Sequence, residues 1–230
     1  MSTVTLAAEV PALHDPVDIN LSDKPSLQRG ARIFINYCLS CHSAAYMRYN
    51  RMGKDLNISD ELVEENLLFA TDKIGNLMKA AMPAEDAKKA FGTAPPDLTV
   101  VSRSRGPGWF YNYMRGFYRD DTSFTGWNNI VFPDAAMPHV LYEWQGEQRA
   151  VFEDKEDGSK EFRRLELERA GSMSIEEFDN SMRDLTNFMV YLGEPAKLVR
   201  YRIGVYVLIF LAVFLVFIYL LKREYWKDVH

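Results

Sequence analysis

Two cysteines and a histidine near the amino end are the residues best suited to chemistry. The 230-residue chain has only two cysteines, Cys38 and Cys41, and His42 follows the second one directly. This Cys-x-x-Cys-His spacing is typical of covalent attachment of a c-type haem. Two thiols on one helical turn can bond the vinyl groups of the porphyrin, and the next residue can point an imidazole nitrogen at the iron. We therefore predict that Cys38 and Cys41 attach one haem c and that His42 is an axial ligand.

Two other kinds of site also use a Cys-x-x-Cys pair. A structural zinc site needs a tetrahedral set of nitrogen or sulfur ligands, and the chain has only four histidines to add to its two cysteines. A thioredoxin-like dithiol belongs to a βαβ pattern. The preceding residues instead place Leu27, Ala31 and Phe34 on one helical face that continues to Cys38, which predicts an amphipathic helix leading into the haem motif.

The second axial ligand is predicted to be a methionine, because a thioether raises the reduction potential of a haem. Of ten methionines, Met82 and Met137 each stand between a small residue and a proline in a predicted loop. The residues favour Met137, which follows the rigid apolar Phe132–Pro133 pair, whereas Met82 abuts the charged run 85–89. His139 is a third candidate and would give a haem of lower potential.

The C-terminal region predicts one membrane span. Residues 203–221 are 19 successive residues without a charge, which is enough to cross about 30 Å of hydrocarbon at about 1.5 Å per residue. Tyrosines and a tryptophan flank both ends, where aromatic rings settle at lipid headgroups. A buried helix of a soluble protein is the alternative, but so long an apolar run would need a much larger protein around it.

The flanking basic residues do not fix the orientation of the span, because three lie on each side of it. Haem attachment requires delivery of the thiols to the extracytoplasmic side, so we expect residues 1 to about 200 to face the periplasm or its mitochondrial equivalent. The first eight residues lack the charged start and long apolar core of a signal peptide. We expect the chain to begin at or near a processed end.

Charge is unevenly distributed along the chain. The net charge is −5 overall, while residues 1–198 carry 22 basic and 30 acidic side chains, a net of −8. An acidic domain would attract a basic soluble partner in a salt-dependent way. A merely solvated acidic surface explains the same composition. Nothing in the composition points to nucleic acid.

Between the haem motif and the span, the sequence predicts mainly helices. We expect helices over 60–70 and 109–118, with residues 74–81 continuing or following the first, and an irregular loop over 92–98. Asp157–Gly158 predicts the turn of a small β-hairpin. Ser174 and Glu177 form a capping box that begins a helix ending at Gly193.

Several motifs together resemble the cytochrome c1 family. They are Tyr-Cys-Leu-Ser-Cys-His-Ser at 37–43, Ala-Pro-Pro-Asp-Leu at 94–98, Arg-Ser-Arg at 103–105, Ala-Met-Pro at 136–138 and the C-terminal membrane helix. The chain departs from the family pattern after Pro138, where His139 stands instead of further prolines, and over 106–109. It also has no cysteines for the additional disulfide of some bacterial members.

The resemblance implies roles for single residues. Cys38 and Cys41 would hold the haem covalently, and His42 and Met137 would be the axial ligands. Pro95 and Pro96 would pack against the haem on the histidine side, and Arg105 would contact a haem propionate. A guanidinium suits that role because it binds a carboxylate bidentately.

The resemblance also implies a fold, a function and partners. The fold class is a mainly α, cytochrome c-like haem domain with a small β-hairpin insertion and one C-terminal transmembrane helix. The expected segments are an extended N-terminal segment at 1–22, the haem domain at 23–198, the span at 199–222 and an inner-side tail at 223–230.

The implied function is electron transfer within quinol:cytochrome c oxidoreductase, from a Rieske iron-sulfur protein to a cytochrome c. Cytochrome b would lie beside the span in a dimeric complex, in a bacterial inner membrane or, in a eukaryote, the mitochondrial one. Another membrane-anchored monohaem cytochrome is the nearest alternative. A membrane-tethered thiol or zinc protein is the alternative from a different class.

Overall fold

The computed structural model describes residues 13–155 and 160–228, and the chain divides into two compact units, Met1–Gly193 and Glu194–His230. The expected extended segment at 1–22 lies partly outside the described residues, and residues 13–20 form neither helix nor strand. The first unit carries the predicted haem motif, and the second carries the predicted span.

The first unit is mainly helical, as predicted. Its helices are α1 (Lys24–Ile33), α2 (Tyr49–Leu56), α3 (Asp60–Asn66), α4 (Ala84–Phe91), α5 (Val101–Ser104), α6 (Pro107–Arg115), α7 (Tyr142–Gln145) and α8 (Ile175–Gly193). Its strands are β1 (Ala44–Arg48), β2 (Leu77–Met78), β3 (Phe117–Arg119), β4 (Trp127–Asn129), β5 (Gly146–Asp154) and β6 (Lys160–Ala170). They form three two-stranded antiparallel sheets, β1–β2, β3–β4 and β5–β6.

Helix α1 leads into the haem motif, which confirms the predicted amphipathic helix. Asp23 caps its start by accepting a hydrogen bond from the backbone N–H of Ser26 at 3.0 Å. The chain then continues as a five-residue π-helix, Phe34–Cys38. Such wider turns are frequent at functional sites, and this one ends on the first cysteine.

The core of the unit forms where α1 packs on α8. Leu27, Phe34 and Phe188 are fully buried, and the two phenylalanine rings lie 5.7 Å apart. A buried polar cluster accompanies this apolar contact: the Ser26 hydroxyl donates to Asp184 at 2.7 Å and accepts from Asn187 at 3.0 Å. The Ser26 hydroxyl and the Asp184 carboxylate are thus partnered, as buried polar groups usually are, whereas Asn187 Oδ1 accepts no hydrogen bond among the described residues.

Helix α8 begins at the predicted capping box and ends at the predicted glycine. The Ser174 backbone N–H donates to the Glu177 carboxylate at 2.8 Å, and the Glu177 N–H donates to the Ser174 hydroxyl at 3.3 Å. The bond from the Ser174 N–H, together with one from the Ser174 hydroxyl at 2.8 Å, lowers the pKa of Glu177. The helix therefore has a defined start on the surface and a buried face over its remaining length.

The predicted β-hairpin is present as β5 and β6, although its predicted Asp157–Gly158 turn lies outside the described residues. The expected helix over 74–81 was wrong, since β2 lies there and pairs with β1. The expected helix over 109–118 begins earlier, at Pro107, and gives way to β3 after Arg115. Local periodicity could not foresee these short strands, because strand pairing is a tertiary interaction.

The second unit consists mainly of helix α9 (Lys197–Tyr225). Its apolar side chains are exposed along its whole length. Among the described residues, α9 is the one helix long and apolar enough to cross a membrane. Its length and apolar composition suit a membrane anchor.

Candidate haem site

The Cys-x-x-Cys-His motif forms a tight turn at the end of the π-helix. The backbone N–H groups of Cys41 and His42 both donate to the carbonyl of Cys38, at 3.1 and 2.8 Å. The two cysteines form no disulfide, and all three side chains line one cavity. Burial raises the pKa of Cys38 to about 12, with a smaller contribution from Cys41. Redox-active dithiols need a lowered thiol pKa, so this environment does not suit one.

His42 is oriented by the irregular loop over 92–98, which contains Pro95 and Pro96 and is called the proline loop below. Its Nδ1 lies 2.9 Å from the carbonyl oxygen of Pro96, so Nδ1 carries the proton and donates it. Burial lowers the pKa of His42, while the Pro96 hydrogen bond and Asp97 act in the opposite direction. The side chain therefore favours the neutral imidazole with an unprotonated Nε2, which is the form that binds a metal.

The proline loop is fastened to the haem-motif segment by hydrogen bonds. The Asp97 carboxylate accepts from the backbone N–H groups of Ala45 and Thr99, each at 2.8 Å, and the Leu98 N–H donates to the carbonyl of Ser43 at 2.8 Å. The loop is irregular over 92–98, as predicted. Both Pro95 and Pro96 line the cavity, where rigid prolines can pack against a planar ring.

Met137 lines the same cavity from the loop after β4, together with Ala135, Ala136 and Pro138. Asparagine side chains shape this loop: Asn129 Oδ1 accepts from the backbone N–H groups of Val131 and Phe132 at 2.9 and 3.2 Å. Asn128 Oδ1 accepts from the N–H of Asp134 at 2.8 Å. The loop is thus held in one conformation that brings a methionine sulfur into the cavity.

The other two ligand candidates lie elsewhere. Met82 does not line the cavity, and its backbone N–H donates to the carbonyl of Ser40 at 3.0 Å. His139 is 2 % exposed, stacks on Phe117 with ring centroids 4.9 Å apart and also lies outside the cavity lining. A second methionine, Met114, reaches the cavity from the buried face of α6.

Arg105 lies at the cavity with its guanidinium beside two aromatic rings. Its Cζ is 5.1 Å from the ring centre of Trp109 and 5.9 Å from that of Phe132. Within residues 13–155 and 160–228, Arg105 makes no ion pair with a carboxylate. The rings fix its position, and its donors are left for an anionic group in the cavity.

The sequence did not single out Trp109 or Tyr113 and used Phe132 only as the rigid setting of Met137, yet all three line the cavity. Trp109 and Tyr113 stack with centroids 5.0 Å apart, and the Tyr113 hydroxyl donates to Met137 Sδ at 3.5 Å. Burial raises the pKa of Tyr113 to about 12, so its hydroxyl is protonated at physiological pH. The i, i+4 spacing of the two aromatic residues on α6 was a signal for their shared face.

The cavity suits a large apolar ring with few polar substituents. Its volume is about 440 Å³, within the usual range of cofactor sites. Two thiols and an imidazole, a thioether and an arginine without a carboxylate partner face the same space, so the residues present fit haem c. In contrast, the described part of the chain contains no group of three or more His, Cys, Asp or Glu side chains that could hold a zinc ion.

Comparisons with known proteins agree with this site. The profile of the Cytochrome C1 family matches residues 18–161 and 172–229. Cytochrome c1 of Allochromatium vinosum is 50% identical over 218 residues, which cover 94% of this chain and 89% of that protein. The ammonia monooxygenase gamma subunit of Nitrosomonas europaea is 45% identical over 94% of this chain and 88% of its own length.

A relative of lower identity still matches most of the chain. Cytochrome c1 of Rhodospirillum rubrum is 24% identical over 90% of this chain and 83% of its own length. The family match therefore includes the haem motif, both predicted loops and the C-terminal helix. The chain belongs to the cytochrome c1 family, whose members carry one covalently bound haem c.

Proposed function

We propose that this chain is the electron-transfer haem subunit of a quinol:cytochrome c oxidoreductase, and that it receives electrons from a Rieske iron-sulfur protein and passes them to a cytochrome c. The observation that carries the proposal is the gathering of Cys38, Cys41, His42 and Met137 around one apolar cavity in a chain of the cytochrome c1 family. The quinol oxidation activity would belong to the whole complex.

When bound, haem c supplies one-electron redox chemistry at its iron. The chain's residues hold and tune that group: Cys38 and Cys41 would form the thioether links, and His42 Nε2 and Met137 Sδ would be the axial ligands. Iron held by both of these side chains would be closed to oxygen and substrates. No side chain needs to make or break a substrate bond.

The proline loop and Arg105 would complete the site. The Pro96 carbonyl keeps the proton of His42 on Nδ1, which orients the other nitrogen. Pro95 and Pro96 line the cavity and would pack against the ring. Arg105 would bind a propionate from its position beside Trp109. Neutralising a negative charge near the iron disfavours the oxidised form and raises the potential.

The C-terminal helix α9 would hold the haem domain at the surface of a membrane. We place the haem domain on the extracytoplasmic side, the periplasm in a bacterium, because covalent attachment takes place there. The helix α9 would cross the inner membrane beside cytochrome b, and two copies of the assembly would form the dimeric complex.

Three measurements test the proposal. Haem should stay with this polypeptide after denaturation, and a complex purified through it should contain a cytochrome b with two noncovalent haems. In that complex, the absorption band of reduced haem c should appear in the reduced-minus-oxidised spectrum after quinol is added. It should not appear when a quinol-site inhibitor is present. A polypeptide that loses its haem on denaturation would refute covalent attachment.

The relative named as an ammonia monooxygenase gamma subunit suggests a second assembly, and co-purification tests for it as well. If this chain instead served such an oxygenase, it would purify with the other subunits of that oxygenase and without cytochrome b. Haem attachment alone would not separate these two assemblies, so the identity of the co-purifying subunits decides.

A further inference from the structure

The hydroxyl of Tyr113 makes a direct contact with the predicted sulfur ligand. Its oxygen lies 3.5 Å from Met137 Sδ, a hydrogen-bonding distance for sulfur. Among the described residues, no other hydrogen bond to this sulfur is present. A thioether is a weak hydrogen-bond acceptor. A hydroxyl that donates to it inside a cavity changes the electron density at the sulfur.

Two aromatic rings pack on the ring of Tyr113, and a side chain holds its backbone. Trp109 stacks on it with ring planes 13° apart, and Phe117 meets it edge-on with centroids 5.2 Å apart. The side chain of Asn129 donates to the Tyr113 backbone carbonyl at 2.8 Å. Since Asn129 also shapes the loop before Met137, the donor and the acceptor are positioned by one shared side chain.

The contact has a defined chemical consequence. A thioether sulfur has two lone pairs, and when one binds a metal the other can accept a hydrogen bond. A hydroxyl on that second lone pair draws electron density from the sulfur and weakens its donation to the metal. Oxidised iron loses more by this than reduced iron, so the hydrogen bond favours the reduced state.

We propose that Tyr113 is a positioning residue that fixes, through its hydroxyl, which lone pair of Met137 faces the iron, and thereby raises the reduction potential. This inference rests on the proposed function, because it assumes that Met137 ligates the haem iron. It assigns to α6 a role in setting the redox properties of the loop after β4, in addition to lining the cavity.

The first test compares two Tyr→Phe variants in the full-length chain within its purified complex. Tyr113→Phe keeps the ring and its stacking, so we expect folding and haem attachment to persist. The equilibrium constant for haem reduction should fall roughly threefold to tenfold, at about 59 mV per tenfold for one electron, and the methionine-to-iron charge-transfer band should shift.

Tyr111→Phe is the matched control on the same helix. The Cζ of Arg115 lies 4.7 Å from the centre of the Tyr111 ring, and Tyr111 does not line the cavity. Loss of this hydroxyl should leave the potential and the band unchanged. Equal shifts in both variants, or no shift in Tyr113→Phe, would overturn the inference.

A double-mutant cycle separates a hydrogen bond to sulfur from a general effect of a polar group in the cavity. In a Met137→His background, the added Tyr113→Phe change should no longer alter the potential. A shift of the same size in that background would overturn the proposed contact. If the wild-type complex lacks the methionine-to-iron band, the ligation itself fails; if the band is present and Tyr113→Phe changes nothing, only the role of Tyr113 fails.

Discussion

Gly30 of α1 lies directly against the backbone carbonyl of Asp184 in α8. A Cβ at this glycine would overlap that carbonyl and would also lie 2.7 Å from the Cβ of Phe188. The same two helices are joined by the Asp184 carboxylate, which accepts from Ser26 at 2.7 Å and pairs with Arg29 at 2.5 Å. The absence of a side chain at Gly30 thus permits both the apolar and the polar contacts of the core.

We therefore expect Gly30→Ala to destabilise the haem domain by about 1–3 kcal/mol, the usual cost of overpacking a rigid core. Unfolding of the full-length protein by denaturant, followed through haem absorbance, measures the change. Gly75→Ala is the control, because nothing lies within 4 Å of a Cβ at Gly75. Equal midpoints for the two variants would mean that α1 and α8 can separate without cost.

The predicted methionine ligand can be tested by removing its sulfur. Met137→Leu keeps the volume and should leave the haem covalently attached, but the methionine-to-iron band should vanish. The equilibrium constant for reduction should fall by more than roughly tenfold. Met82→Leu is the control and should change neither property, because Met82 does not line the cavity. A band that survives in Met137→Leu and vanishes in Met82→Leu would reverse the assignment.

Arg105 should raise the potential through its charge. Arg105→Gln should lower the equilibrium constant for reduction about twofold to fivefold, the range expected for a partly solvated charge pair. The haem should remain six-coordinate, as judged by its optical spectrum. Arg103→Gln removes an equal charge from a side chain that instead donates to the Gly193 carbonyl at 3.4 Å, so its potential should stay near that of the wild type. Equal effects would indicate a long-range field and no propionate contact.

Much of the site could be predicted from the sequence because its residues sit in short local motifs. Cys38 and His42 are four residues apart, and the two prolines lie in a loop that could not be helical. The residues alone ranked Met137 above Met82, and the structure places Met137 in the cavity. These signals are local, so they needed no knowledge of the fold.

Other features depend on tertiary contacts and could not be predicted in this way. The contact between Tyr113 and Met137 joins a helix to a loop 24 residues away. Similarly, β2 has only two residues and exists because β1 lies beside it. His139 was a candidate ligand by chemistry, but it stacks on Phe117 of β3. The residues next to His139 in the sequence do not predict that contact.

The negative charge of residues 1–198 leads to a prediction about the acceptor. A net charge of −8 over this segment should attract a basic cytochrome c, and added salt screens such attraction because the Debye length is about 10 Å at 0.1 M. Turnover of the complex with a basic cytochrome c should therefore fall several-fold as ionic strength rises from about 0.02 to about 0.3 M. Reduction of the haem by quinol within the complex is the control and should be nearly independent of salt, since no soluble partner binds in that step. A flat salt response of the full turnover would mean that the acidic side chains are only solvated and that docking depends on uncharged contacts.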